Sequence, residues 1–361
     1  MRPFDVLDIT FSGESHSPEI SATMRGLPVG TVFSAEAVEE CMARRRSGRY
    51  LFSTPRREAD VPEWRSGIAR EGDALTVTGD ITVAIANNNV RPGDYPFART
   101  PRPSHADYVA YVKDGERAAK SGGGRFSGRM TALLTALGGA AKDILAKRGV
   151  TVDAYISRMA GVDTSAGRLP SPEEIRACHE LPLPVLSRLE EAKDAAAEAA
   201  KRGDSTGGVV ECVIRGLPAG LGDALWRGLE SKLAAAVYGI PAVKCVEFGA
   251  GALIADMTGS TANDPFSVED GKVVTLTNNA GGLNGGVTNG MPVVLRAAFR
   301  PTPTISLPQR TVDLELMRET TLTAGGRHDA TVVPRAVVVT ECTAALAVLD
   351  ELLFDSYLKR P

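Results

Sequence analysis

Three of the four histidines in the chain sit inside glycine- or proline-rich segments: His16 in SGESHSPEI (12–20), His105 in PRPSHADY (101–108) and His328 in GGRHDA (325–330). Imidazole is the side chain best suited to exchanging protons near neutral pH, so these segments are the first candidates for acid–base chemistry. Taken singly, each histidine has an ordinary structural or solvated reading. Their shared company with glycine, arginine and aspartate favours a functional one. His179 stands in a helix-like context and reads as incidental to any chemistry.

The arginines gather at ARRRSGR (43–49) and PRR (55–57) and stand singly at Arg102, Arg125, Arg129, Arg300 and Arg327. Against a formal net charge of −3, this placement suits a small anionic ligand drawn to a local basic site better than a long nucleic-acid track. The run Arg44, Arg45, Arg46 and Arg49 also has a plain alternative, because cations at a helix carboxyl end favour the macrodipole and commonly face water. GGGRFSGRMT (122–131) is a glycine-rich turn leading into a helix. Its backbone N–H groups and helix dipole can hold a phosphate or carboxylate, with Arg125, Ser127 and Arg129 as further donors; a flexible loop ahead of a helix fits the spacing equally well. It is neither a G-x-G-x-x-G fingerprint nor a Walker loop. NNAGGLNGGVTNGMP (278–292) permits close backbone approach to a ligand, although turn formation alone also explains its glycines. No histidine pair has ligand spacing and Glu14, Asp107 and Asp329 are widely dispersed, so no metal site is expected.

The elements that must position these groups follow from periodicity. Ser34 is placed to cap a helix from Ala35 to Arg46 with Val38, Cys41 and Met42 as its apolar stripe. ALTVTGDITVAIA (74–86) reads as two strands turning at Gly79-Asp80, and the proline-rich stretch 87–105 as a long functional loop. Helices are expected at 127–148, 184–202 and 225–239, strands at 209–216, 242–249 and 292–299, and a final amphipathic helix at 342–358.

A chain of 361 residues with 43% hydrophobic and 24% charged composition can bury a large core. Helices and strands mix without a regular βαβ period, a low-complexity linker or an internal repeat, so the expectation is one α+β domain over residues 1–361. Nothing approaches the roughly 20 consecutive apolar residues of a membrane span, and the amino terminus lacks the apolar run of a signal peptide. Five scattered cysteines without a C-x-x-C pair point to a reducing compartment and no structural zinc.

In order along the chain, GESHS, RRRSGR, PRPSHADY, GGGRFSGRMT, DSTGGVVE, GIPAVKCVEFG, NNAGGLNGGVTNG, RPTPTI and GRHDATVVPRA resemble the motifs of the chorismate synthases, over roughly residues 10 to 340. The resemblance implies an α+β sandwich with long helices packed between two antiparallel sheets, and a cytoplasmic homotetramer whose partner is a small-molecule substrate, with neither nucleic acid nor membrane involved. It implies an anti-1,4-elimination of phosphate from 5-enolpyruvylshikimate 3-phosphate to give chorismate, the last common step of the shikimate pathway to the aromatic amino acids. That reaction is redox-neutral overall yet requires reduced FMN, which some members reduce with NADPH and others obtain from outside reductants. By the same resemblance His16 protonates the departing phosphate, His105 protonates reduced flavin, and Asp329 works with the flavin in removing the ring proton. Arg45, Arg49, Arg129 and Arg327 would bind the substrate's two carboxylates and phosphate. Flavin contacts would fall on Arg125, Phe126, Ser127, Pro241, Ala242, Gly285, Arg300, Pro301, Thr302, Pro303, Thr304 and Arg327, several of them through the backbone.

The chain departs from the common family pattern at Ser17, where glycine is usual, at Phe126 and Gly128 in the flavin loop, at Asn279 for histidine and at Ala330 for proline. Two rival readings remain at this level: another enzyme of shikimate-type phosphates that uses the same arginines without flavin, and a nucleic-acid-binding module built on residues 44–57.

Overall fold

The first antiparallel sheet comprises β1 (Asp8–Gly13), β2 (Glu19–Arg25), β3 (Val32–Ser34), β4 (Glu63–Glu71) and β5 (Ala74–Ala86). The structure is a computed structural model that describes residues 4–53, 58–87, 99–115, 123–325 and 329–358. β5 is the spine of this sheet, pairing with β2 and β3 along one edge and β4 along the other. Residues 74–86 therefore form one strand, and the expected hairpin at Gly79-Asp80 is absent. The reason is parity: Leu75, Val77, Ile81, Val83 and Ile85 are all buried and all odd-numbered, so a straight strand keeps them on one face, whereas a two-residue turn would split them between two. The reversal lies instead at Gly72, φ +58°, and β4 absorbs the mismatch by bulging at Gly67, where an added Cβ would collide with the Asp80 backbone.

The second antiparallel sheet contains β6 (Thr151–Met159), β7 (Val162–Asp163), β8 (Gly208–Arg215), β9 (Val243–Phe248) and a later strand, in the order β7-β6-β8-β14-β9, where β14 is Val293–Phe299. The hairpins β10–β11 (Phe266–Glu269, Lys272–Thr275), β12–β13 (Leu283–Asn284, Val287–Thr288) and β15–β16 (Gln309–Asp313, Arg318–Leu322) project from this frame. On the outer face of the second sheet, Tyr155, Glu211, Arg296 and Glu247 stand side by side in register. The Tyr155 hydroxyl donates to Glu211 at 2.5 Å, and Arg296 donates to Glu211 at 3.2 Å and Glu247 at 2.8 Å, so each polar group meets its neighbour across the strands.

The helices longer than one turn among the described residues are α1 (Ala35–Arg45), α2 (Asp107–Asp114), α3 (Thr131–Ala146), α4 (Pro172–Cys178), α5 (Leu189–Lys201), α6 (Leu229–Tyr238) and α7 (Val333–Leu358); α1, α3, α6 and α7 share one apolar core with both sheets, while α4 packs against Tyr155, Val213 and Val294. This is the α+β architecture expected. Ser34 caps α1 by accepting from the Ala37 N–H at 3.0 Å. Two 3-10 turns, Gly124–Phe126 and Gly128–Met130, delay α3 until Thr131, and a β-bridge from Val185 to Ile156 delays α5 until Leu189. The final helix begins at Val333 and is no surface amphipath. Consecutive residues from Val337 to Leu349 are almost all buried, so it runs through the centre of the molecule.

A carboxylate in the middle of that helix is made tolerable by its partners. Glu341 has no exposed surface; it accepts two bonds from Arg44 at 2.8 Å, one from Lys142 and one from the Ala154 N–H at 2.9 Å. Burial alone would raise its carboxyl, but the opposing charges of Arg44 and Lys142 hold it well below the usual range. All five cysteines are free thiols, and no helix among the described residues is long and apolar enough to cross a membrane.

α3 and α7 approach so closely that a Cβ on Gly138 would collide with the Cβ and carbonyl of Cys342. Gly138→Ala is expected to destabilise the fold by about 1–3 kcal/mol through overpacking, read as a lower urea midpoint at unchanged slope.

Candidate active site

Antiparallel register fixes which loops meet. In the first sheet, the pairs Gly13↔Ile20 and Glu19↔Ala86 bring the turn 14–18 and Asn87 to one end. In the second, Met159↔Gly208, Phe299↔Gly208 and Phe299↔Val243 bring residues 205–207, 242 and 300–304 to a common end. Hydrogen bonds run from the first end through the amino end of α3 and the carboxyl end of α1 to Arg335 in α7, and Ala330, just ahead of that helix, bonds Thr206 at the second end. Helix amino ends favour anions, so the assembled region is suited to a negatively charged ligand.

His16 occupies the turn between β1 and β2. The Ser15 N–H donates to the Gly124 carbonyl at 3.3 Å, which docks the turn on the glycine-rich loop, and the His16 Nδ1 lies 3.1 Å from the Ser15 hydroxyl. Ser17 fits here without left-handed backbone: its hydroxyl accepts from the Glu14 N–H at 2.9 Å and bonds the Glu14 and Glu19 carbonyls, so the serine stitches the turn where the family usually has glycine. Asn87 holds the same turn from the β5 side, donating from Nδ2 to the carbonyls of Glu14 at 3.2 Å and Ser17 at 2.7 Å.

Two of the arginines expected to bind substrate, Arg45 and Arg129, lie directly beneath. Arg129 donates to Asn87 Oδ1 at 2.8 Å, to the Ala86 carbonyl at 3.1 Å, to Glu58 and to Asp60. Arg45, 1% exposed, donates to Thr131 Oγ1 at 3.1 Å, to Asp60 at 2.6 Å and to the carbonyls of Gly128 and Arg129. Burial lowers the Arg45 guanidinium to about 10 against the opposing pull of Asp60, which leaves it charged at neutral pH. Arg49 is placed differently. It turns to the His179 carbonyl and the Glu180 carboxylate, lining a shallow groove beside Tyr50.

His105 belongs to a second cluster. Its Nδ1 meets Asp107 Oδ1 at 2.7 Å, a bond that leaves Nε2 as the basic nitrogen. Asp107 is buried and also accepts from the Arg102 backbone and guanidinium; burial would raise its carboxyl, but these bonds and charges drive it well below the ordinary range. Arg102 reaches onward to Thr304 at 3.1 Å. Arg300 ties the Ser104 carbonyl to Ala242, whose carbonyl accepts from the Arg300 N–H at 3.0 Å. Ser104 at φ +58° and Ala242 at φ +77° both hold strained backbone here, as does Asp60 at φ +47°. A Cβ on Gly123 would lie 3.7 Å from His105 Cε1, so His105 and the His16 turn approach neighbouring glycines of one loop.

Asp329 closes the ring. Arg335, in the first turn of α7, donates to Asp329 at 3.3 Å and to the Arg45 carbonyl at 3.2 Å. Ala330 donates its N–H to the Phe52 carbonyl at 3.2 Å, a bond the usual proline cannot make, and accepts from the Thr206 N–H at 2.9 Å. Ser205 donates to the Thr302 carbonyl at 2.7 Å, while the hydroxyls of Thr206 and Thr302 are buried with no hydrogen-bond partner among the described residues.

Arg327 and His328 lie outside the described residues. Arg125 and Phe126 face outward on the glycine-rich loop, with the guanidinium 5.0 Å from the ring centre and bonded to Asp114. Gly285 sits in the β12–β13 hairpin, Pro241 just before strained Ala242, and Asn279 is pinned by Asp264 and the carbonyls of Thr261 and Ala262. Sequence reasoning missed Asp60, Asn87, Asp107 as a histidine partner, and Arg335. Of these only Asp107, two residues from His105, had a local signal. His179 is a structural group: it is buried and donates from Nε2 to the Ala154 carbonyl at 2.8 Å.

Proton-exchanging groups held among arginines at the joined ends of two sheets are the arrangement of an enzyme that acts on a small anion. A sequence profile for chorismate synthase matches residues 7–353. The chorismate synthase of Thermococcus kodakarensis is 42% identical over 349 residues, 96% of each chain. That of Aeropyrum pernix is 42% identical over 357 residues, 98% of this chain and 93% of the other. A crystal structure of a chorismate synthase aligns with a TM-score of 0.75 at 27% identity, over 98% of this chain and 93% of that one. The chain belongs to the chorismate synthase family.

Burial depresses the His179 imidazole below its ordinary value of 6.5, against the pull of Glu341. The stability this neutral histidine contributes is complete above about 6.5 and is lost as pH falls through the folded-state value, because the unfolded chain then binds the extra proton. Melting temperature should therefore fall on acidification from neutral pH, with a shallower slope in His179→Asn if the imidazole carries it.

Proposed function

We propose that this chain catalyses the anti-1,4-elimination of phosphate from 5-enolpyruvylshikimate 3-phosphate, releasing chorismate, as a lyase of the shikimate pathway that requires reduced FMN. The observation that carries the reading is the approach of the His16 turn and His105 to adjacent glycines of one loop, with Asp329 tied through Arg335 to the arginine cluster under that loop. Family membership supports the activity and the substrate class.

The residues present fit a flavin. Two buried hydroxyls, Thr206 and Thr302, have no partner among the described residues, and Gly123, Gly124 and Ala242 hold left-handed backbone. Arg125, Phe126, Ser127, Pro241, Ala242, Gly285 and the segment Arg300, Pro301, Thr302, Pro303, Thr304, with Arg327, would hold it. Reduced FMN, when bound, supplies electron density transiently to a reaction with no net redox change. His16 gives its proton to the leaving phosphate, for which a cationic imidazole beside an anion is well suited. His105, oriented by Asp107, keeps the cofactor's protonation state, and Asp329 assists removal of the ring proton. Arg327, and Arg49 once released from Glu180, would meet the anionic groups of the substrate, with Arg45 and Arg129 contributing positive charge from beneath. The same reading extends to a cytoplasmic homotetramer of one-domain chains, with NADPH as a source of reducing electrons; the free thiols are in keeping with a reducing compartment.

Anaerobic turnover with and without photoreduced FMN tests the reading. Chorismate and phosphate should appear in equal amounts and only with reduced FMN; product without flavin would instead support a different enzyme of the same phosphates. His16→Ala and His105→Ala should each lower turnover by roughly 10²–10⁴-fold in folded protein. Unchanged turnover in either would remove that histidine from the mechanism.

A further inference from the structure

Asp60 is 4% exposed, sits at φ +47° and accepts from two guanidinium groups at once, Arg45 on Oδ2 at 2.6 Å and Arg129 on Oδ1. Left-handed backbone at a non-glycine residue costs on the order of 1 kcal/mol and persists only where its surroundings enforce it. Here the enforcement is electrostatic, because two buried cations without a counter-charge would be far more costly. All three nitrogens of each guanidinium are engaged by the protein: Thr131, Asp60 and the 128–129 carbonyls for Arg45; Asn87, Asp60 with Glu58, and the Ala86 carbonyl for Arg129. Such a pair is built as a support.

What it supports is the turn that carries His16. Arg129 Nε donates to Asn87 Oδ1, which forces the Asn87 amide to present Nδ2 to the carbonyls of Glu14 and Ser17, two residues before His16 and one after it. We propose that Asp60 is a positioning residue for the reaction: it locks Arg45 and Arg129 together and, through Arg129 and Asn87, sets the place of His16. The proposal rests on the reading of His16 as the acid for the departing phosphate. A misplacement of about 1 Å in such a group is enough to cost on the order of 10²-fold in rate.

The test combines steady-state kinetics with reduced FMN and a proton–carbon spectrum of the ligand-free, histidine-labelled protein. The chain has only four histidines, so the His16 signal is identified by its loss in His16→Gln. Asp60→Asn and Asn87→Ala should each lower kcat about ten- to a hundred-fold while KM for the substrate stays within about threefold. The double variant should be no worse than the worse single one, because both act along one route. In each, the His16 signal should move while that of buried His179 stays, which a general loosening of the fold would not produce. A raised KM with unchanged kcat would overturn the proposal, making Arg129 a binding cation and Asp60 its counter-ion only. So would multiplying effects in the double variant, or an unmoved His16 signal. If Asp60→Asn does not fold, Asn87→Ala decides by the same two readouts. Wild-type protein that makes no chorismate with reduced FMN would sink the functional reading instead, and the His16 signal would still judge whether Asp60 places the turn.

Discussion

A guanidinium taken out of water must have its charge and its donors met, and the protein buries two of them at the foot of α3. Asp60 meets both, and the rest of the site is arranged around that fact. Thr131 and the 128–129 carbonyls bind Arg45 because the chain enters α3 through tight 3-10 turns that aim those groups backward. Asn87 ends β5 where Arg129 needs an acceptor, and Arg335 opens α7 where the last carbonyl of α1 is free to accept. Four elements that are distant in sequence are thereby fixed to within hydrogen-bond tolerance of one another.

The two histidine clusters reach one glycine-rich loop from different elements. Asp107 stays ionised because Arg102 and His105 both bond it, so His105 is paired locally and owes little to Asp60. The turn that carries His16 is stitched by backbone and serine bonds. The glycine-rich loop is the common wall. Its adjacent Gly123 and Gly124 hold left-handed backbone, and His105 meets the first and the His16 turn the second.

Much of this was legible in the sequence, and the failures have physical causes. The strands at 209–216, 242–249 and 292–299 were readable because their apolar residues face a packed helical layer. The hairpin expected at Gly79-Asp80 arose from reading turn chemistry without parity. α7 was half-missed because a helix buried on every side has no polar face to set its period. Motif residues such as His16, His105 and Asp329 were recognisable as a set, while Asp60 and Asn87 were not: Asn87 acquires its meaning from Arg129, 42 positions away, and Asp60 from an arginine 69 positions away. His179, read as incidental, is buried and bonds the Ala154 carbonyl, so it ties its helix end to β6.

The joined sheet ends draw the site from residues 13 to 335, with no contiguous stretch holding even half of it. Contacts of such sequence separation are slow to form, since loop closure must be completed before they reward the chain. The site therefore exists only where the distant segments have already closed on one another. A nascent or clipped chain lacking α7 has neither Arg335 nor the central helix on which both sheets close, so catalytic competence arrives as an all-or-none property of the finished fold.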